Sequence, residues 1–197
     1  MELYDVMRTA FSAREFTADP VTDEALARMF ENARFAPSGG NRQGCHIIVV
    51  REQATKDALA EFAKPTVRRY VAQLAAGESP WNSITPTVVD PATIATTPTP
   101  PMLTEPLRRA PVVLVGCVDL RVVASVDQDL DRVGIVSGAS VYPLLWNVLL
   151  AARNEGLGGT LTTMPIGKPV RQLTKLKRKP VAEFAHRERW DGPAFEA

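Results

Sequence analysis

One domain of helices alternating with buried strands, an α+β or α/β sandwich, is the architecture this sequence predicts, and three observations carry it. Residues 22–33 place Leu26, Met29, Phe30 and Ala33 at i, i+3, i+4 and i+7, one apolar stripe of helical period. Residues 110–120, APVVLVGCVDL, form a continuous apolar run of the kind found in a buried strand. Residues 134–159 make the strongest helix, apolar through Leu144, Leu145, Val148, Leu149 and Ala152.

The remaining elements follow in order. Residues 2–10 read as a helix and 12–16 as an extended segment. Thr22 is the expected N-cap of the second helix, with Asp23 and Glu24 in its first turn. The β-branched run at 47–50 suits a strand covered on both faces. Residues 53–76 read as helix through Leu59, Phe62, Val67, Tyr70, Val71 and Leu74, with Pro65 expected to interrupt it. Residues 79–106 hold seven prolines and no sustained helical period, so they read as a long loop, either a plain surface excursion or a lid or pocket wall. Pro143 lies near the start of the long apolar helix, where proline is tolerated, and Gly156 stops that helix after Asn154. TLTT at 160–163 is expected to restart a strand.

Composition narrows the function. A chain of 197 residues with 45% hydrophobic and 23% charged content fits a single domain spanning 1–197. It can bury roughly 70% of its unfolded surface without a disulfide or metal staple. A formal charge of +1 argues against a broad nucleic-acid footprint. Cys45 and Cys117 match no metal-ligand spacing and read as buried thiols of a reducing compartment. The first residues lack the layout of a signal peptide, and no apolar run approaches the ~20 residues of a membrane span, so a cytoplasmic protein is expected.

Two histidines, His46 and His186, leave little for a His-rich metal site. There is no nucleophile elbow, no phosphate loop of the Walker type and no G-x-G-x-x-G. A catalyst so short of acid/base machinery borrows its chemistry from a cofactor. The block Pro37-Ser38-Gly39-Gly40-Asn41-Arg42-Gln43 offers a hydroxyl, two carboxamides and open backbone, suited to a flat ring edge with alternating donors and acceptors. Its plainer reading is a helix-ending loop with a Gly-Gly turn. Ser12 and Arg14 alternate in an extended segment and could grip a phosphate together, although an arginine beside Glu15 is commonly just a surface residue. KLKRKP at 175–180 is a third basic cluster, or simply a solvated turn.

The order of these blocks resembles the nitroreductase family of FMN-dependent oxidoreductases. S-x-R-x-F-x-x-x-P-V near the start precedes a helix closing in A-x-x-A-P-S-x-x-N-x-Q and then a strand. SGASVYPLLWNVLLAARNEGLGG is similar to that family's central helix, KRKPVAEF to its phosphate-binding return and HRERW to the C-terminal extension of many members. The resemblance covers most of the chain outside residues 64–108. It implies an α+β three-layer sandwich, a central mixed or antiparallel sheet flanked by helices, in an interlocked homodimer with two FMN sites at the subunit interface. By that resemblance Ser12, Arg14 and Arg178, with Arg8 and Lys177 nearby, hold the FMN phosphate and ribityl chain. Pro37, Ser38, Gly39 and Asn41 lie against the flavin of the other subunit, Gln43 supports their loop, and Leu161, Thr162 and Thr163 pass near the ring. NADH or NADPH then delivers hydride to flavin N5 and leaves, and a nitroaromatic, a quinone or a similar electron-poor ring takes its place. Arg14 is the candidate for stabilising negative charge near N1.

Three departures stand out. Ala10 occupies a place where many members carry Arg or Lys, and Arg8 is the candidate substitute. Gly44-Cys45 replaces the usual Pro-Trp after the Gln. Residues 164–174 are shorter than the family segment by a helix and a strand. Two other readings therefore stay open: a flavin-binding protein without reductase activity, serving sequestration, sensing or oxygen-dependent chemistry, and a flavin-free small-molecule-binding homodimer.

Overall fold

The computed structural model describes residues 1–161 and 163–195. Its elements run α1 (Leu3–Thr9), α2 (Asp23–Ala33), β1 (Cys45–Val50), α3 (Gln53–Ala75), α4 (Pro91–Thr96), α5 (Pro101–Arg109), β2 (Val112–Val118), α6 (Tyr142–Asn154), β3 (Gly158–Gly159) and β4 (Thr163–Gly167). The sheet is open and antiparallel in the order β1-β2-β4-β3.

Alternation along β2 explains the layers. Val112 and Leu114 face α2 and α6 and pack with Met29, Val148, Met164 and Ile166. Val113 and Val115 face the other way, against Val50, Ala60 and Leu107 of the α3–α5 side. Side chains of period two thus bury both sheet faces, and each fully buried one contributes about 1.5–3 kcal/mol. The result is the expected α+β sandwich of three layers.

Helix α2 starts as the sequence predicts: the Thr22 hydroxyl accepts from the Ala25 N–H at 3.2 Å. Other elements correct the expectations. β1 is an edge strand, paired only with β2, and it is not covered on both faces, since Ile48 and Val49 stand exposed. α3 runs unbroken through Pro65, whose missing N–H interrupts no packing face. Residues 134–159 are not one helix, since a 3-10 turn at Val136–Ser140 precedes α6. The strand expected at 160–163 starts only at Thr163, after the two-residue strand β3 at Gly158–Gly159. The proline-rich stretch carries α4 and α5, with Pro91 and Pro101 in first turns where no N–H is needed and Asp90 capping α4 through Thr93. α5 is fastened to α3 by Arg108, which reaches Asp57 and Glu61. The short segment 164–174 supplies most of β4 and holds no further helix or strand, as its length predicts.

Both cysteines are free and half-buried, and His46 and Val118 are the cross-strand partners of Cys117 and Cys45 respectively. Burial, then Cys117, push the Cys45 thiol above its ordinary range, so it stays protonated at neutral pH. Among the described residues no helix is long and apolar enough to cross a membrane and no group of acidic, His and Cys side chains is gathered as a metal site.

Candidate functional site

The site is built on the β3–β4 turn. Ser12 pairs with Gly159 as an isolated parallel bridge, and the Ala13 N–H donates to the Gly159 carbonyl at 3.1 Å. Farther along, Thr17 N–H donates to Lys168 O and Val170 N–H to Glu15 O, so the segment is held at both ends. Ala13 is buried against Gly158 while Ser12 and Arg14 are exposed on the opposite side, as the alternation predicts.

Two cavities meet there. The smaller, about 100 Å³, is lined by Ser12, Ala10, Arg153, Arg178, Trp146 and Leu161 among others. The larger, about 660 Å³, has Arg14, Thr160, Leu161 and Thr163 at one end and helices α3 and α5 along its walls. Leu161 borders both. Arg14 donates to the Ser12 carbonyl at 3.3 Å and makes no ion pair among the described residues, so its charge is free to meet an anion. None of the described residues lining the larger cavity is acidic. A small pocket bordered by Ser12 and two arginines, next to a larger one of this size with Arg14 and many apolar walls, suits a ligand with an anionic tail and a flat body, since small-molecule sites occupy about 300–1,000 Å³.

Of the residues expected at the cofactor, Ser12 and Arg178 border the smaller cavity, Arg14 and Thr163 the larger, and Leu161 both. Thr162 lies outside the described residues. Arg8 is not in this group: it sits in the last turn of α1, over the Tyr4 ring at 5.9 Å. Lys177 borders neither cavity and offers its carbonyl to Arg178 at 2.8 Å. Arg153, which the sequence reading missed, takes the place expected for Arg8. Its Nε donates to Thr9 Oγ1 at 2.9 Å and it lines the pocket with the buried Ala10. A basic residue in the last turn of an apolar helix was its only signal.

The 37–43 corner lies elsewhere on the chain, around a third cavity of about 350 Å³ that Pro37, Ser38 and Gln43 line with Ser140 and Leu144. It is organised internally. Gln43 N–H donates to Ser38 Oγ at 3.0 Å, and the Gln43 amide donates to Asn41 Oδ1 at 3.2 Å. Asn41 and Gln43 both hold φ near +50° (53° and 51°), a conformation that non-glycine residues adopt at a cost of about 1–3 kcal/mol. Gly39 serves packing here: a Cβ on it would meet the Ala124 Cβ at 2.9 Å, and its N–H donates to Ser140 Oγ at 3.0 Å. The loop behind it, through Ala124, occupies the space a side chain at Gly39 would need.

That backing loop is organised by Asp127, 3% exposed, which accepts from Ile135 N–H at 2.8 Å and from Val136 N–H and pairs with Arg132 at 2.9 Å. The Ile135 N–H first, then Arg132, hold the carboxyl below the ordinary aspartate range. A carboxylate depressed on folding stabilises the protein above its unfolded pKa of about 3.9, and that contribution disappears as pH falls through the lower folded value. Asp127→Asn is expected to lower the melting temperature at pH 7, with the gap to wild type closing as pH drops below about 4. A gap independent of pH in thermal melts would contradict this role.

A model of the nitroreductase family matches residues 7–185. An NADH dehydrogenase of Thermus thermophilus is 46% identical over 52 residues, a stretch that is 26% of this chain and 25% of that relative. Among solved structures, a BluB-like flavoprotein from Clostridium difficile 630 superposes with a TM-score of 0.62 at 19% identity, covering 93% of this chain and 97% of the other. The NADPH:FMN oxidoreductase from Vibrio harveyi, complexed with NAD+, superposes with a TM-score of 0.61 at 18% identity, covering 96% of this chain and 78% of the other.

Proposed function

Because this chain belongs to the nitroreductase family, we propose that it is an FMN-dependent oxidoreductase that oxidises NADH or NADPH and reduces nitroaromatics, quinones or similar electron-poor rings in two separate half-reactions. The observation that carries the reading is that Ser12, Arg178 and Arg153 line one small pocket and Arg14 the larger cavity, with Leu161 bordering both. The names of the structural neighbours, a flavoprotein and an NADPH:FMN oxidoreductase, support it.

In this reading Ser12, Arg178 and Arg153 hold the phosphate, and Arg14 meets the negative charge that builds on the ring edge during reduction. Bound FMN would supply a two-electron carrier that accepts hydride from the nicotinamide and returns it to the second substrate. The chain's own residues bind, orient and stabilise charge; no side-chain acid or base is required where solvent delivers protons.

A second copy of the chain completes the reading. The 37–43 corner borders neither cavity of its own chain, so a role against the cofactor requires a partner to bring it there. Apolar side chains left open on α1 and α6, namely Leu3, Tyr4, Met7, Tyr142 and Trp146, make a face that a single chain leaves wet. α6 is thus buried on one face only, through Leu145, Val148, Leu149 and Ala152.

The purified protein should be yellow, with near-stoichiometric FMN, and bleach on anaerobic addition of NADH or NADPH. Colour should return when a quinone is added. Yellow protein that ignores both nicotinamides would instead be a flavin binder without reductase activity. Colourless protein that takes up no added FMN would reject the reading. A monomer by light scattering that still carries full flavin would reject only the two-copy part.

A further inference from the structure

We propose that Trp81 is the platform of a subsite for planar aromatic anions at the α3–α5 end of the larger cavity. Calling the ligand an electron acceptor rests on the oxidoreductase reading above; the binding site itself does not.

The wall opposite Arg14 is aromatic and aliphatic. Phe62, Thr66 and Tyr70 fall on one face of α3, Leu103 and Leu107 come from α5, and Trp81 lies across the opening. Trp81 has φ +59°, the left-handed region that a bulky side chain avoids. Its N–H donates to Gln73 Oε1 at 3.4 Å, and Gln73, 3% exposed, donates its amide to Glu78 at 2.9 Å. Glu78 also accepts from the Thr87 hydroxyl at 2.8 Å and the Val88 N–H at 2.7 Å. One carboxylate therefore closes the loop that carries the ring.

Behind the ring stands Arg69, its guanidinium carbon 4.2 Å from the ring centroid. Arg69 makes no ion pair among the described residues, and its buried Nε has no hydrogen-bond partner. A guanidinium ordinarily takes a carboxylate or a carbonyl, and a buried N–H left unpaired is unfavourable. Two unfavourable features thus fix one indole, yet that indole remains 47% exposed and faces the cavity. Packing alone does not account for them, because a half-exposed ring returns little burial. Strain kept at a side chain that lines a cavity points to a ligand.

The chemistry of that ligand follows from the walls. An indole sharing the cavity lining with Phe62 and Tyr70 favours a flat ring stacked or edge-on. The Arg69 charge behind the indole offsets the negative face that would repel an anion, and Arg14 supplies a second cation at the far end. With no acidic residue among the described lining, an aromatic ring bearing a sulfonate, carboxylate or similar negative group is favoured over a neutral or cationic one.

Calorimetric titration of the purified protein with naphthalene-2-sulfonate and its neutral counterpart naphthalene-2-methanol tests this. The sulfonate is expected to bind more tightly than the alcohol. Trp81→Leu should weaken both by about tenfold, the size expected for a lost aromatic partner, and Trp81→Phe should restore most of the loss. Arg69→Met should reduce the preference for the sulfonate, and Arg69→Met combined with Arg14→Met should remove it. Circular-dichroism melts confirm that each variant is folded. Wild-type protein that binds neither compound, or a folded Trp81→Leu that binds as wild type, overturns the proposal. Neither probe accepts electrons, so the result holds whether or not the preparation consumes NADH or NADPH.

Discussion

Arg14→Ala is expected to lower turnover with every acceptor by roughly a hundred- to a thousandfold, or to release FMN outright, while leaving the fold intact. Arg14 is exposed, and its one hydrogen bond goes to the Ser12 carbonyl two residues away. No carboxylate neutralises it among the described residues, and no core side chain leans on it. Its removal should therefore change stability by no more than about 0.5 kcal/mol, as for most surface substitutions. Its effect on a developing negative charge is different in scale. A preorganised donor in a water-poor site lowers a barrier by about 2.7–4 kcal/mol, because it needs no reorganisation when the charge forms. Arg14 is exposed in the free chain, so it is a ring bound between it and the walls of α3 and α5 that would exclude water here. The ratio of flavin to protein absorbance separates loss of cofactor from loss of rate, and Arg14→Lys should recover part of either by keeping the charge. A variant with full flavin and full turnover would remove Arg14 from the site.

What the chain order made legible was the frame. The Thr22 cap, the stripe from Leu26 to Ala33, the apolar β2 run and the stop at Gly156 are local patterns, and each is realised where its spacing placed it. Family membership was legible for a related reason: the blocks around Ser12, Pro37 and Gly156 are individually weak but ordered. Elements set by tertiary context were not. Seven prolines between residues 79 and 106 suggested a loop, yet Pro91 and Pro101 occupy first helical turns and α5 is held to α3 by Arg108. Nothing local to the run at 47–50 says what packs on its faces, so β1 read as covered on both although Ile48 and Val49 stand exposed.

The site divides the same way. Ser12 and Arg14 share a side because alternation in an extended segment requires it. Arg178 joins Ser12 only because residues 168–170 fold back onto residues 15–17, a pairing without a short-range signature. Arg153 sits inside the recognised central-helix block with nothing to single it out, and Trp81 lies outside every block; each becomes visible only when a second chain segment is laid against it, Thr9 for the first and Arg69 for the second. Arg8 illustrates the converse. Sequence proximity to Ser12 recommended it, but α1 turns it toward Tyr4.

The same dependence makes Gly159→Ala the most damaging single methyl that this chain could receive near the site. β3 is only Gly158–Gly159, and it rests on β4 through the pairs Gly158–Gly167 and Gly159–Ile166. A Cβ on Gly159 would collide with the Pro165 carbonyl oxygen and come 2.5 Å from Ile166 Cδ1. The first obstacle is backbone of the neighbouring strand, which cannot rotate aside as a side chain would. β3 must therefore move, and with it the Ser12 bridge and the Ala13 bond that suspend the segment carrying Arg14. Overpacking a core usually destabilises by about 1–3 kcal/mol, and a clash with main chain belongs at the upper end. At about 2–4 °C per kcal/mol for a domain of this length, the melting temperature should fall clearly, and bound flavin should be lost beyond what the melting shift explains. Gly134→Ala is the matched control, since its Cβ would find nothing nearer than Asp127 Oδ1 at 3.6 Å and its φ is not left-handed. If Gly159→Ala melts and binds flavin as Gly134→Ala does, β3 does not position Ser12 and Arg14.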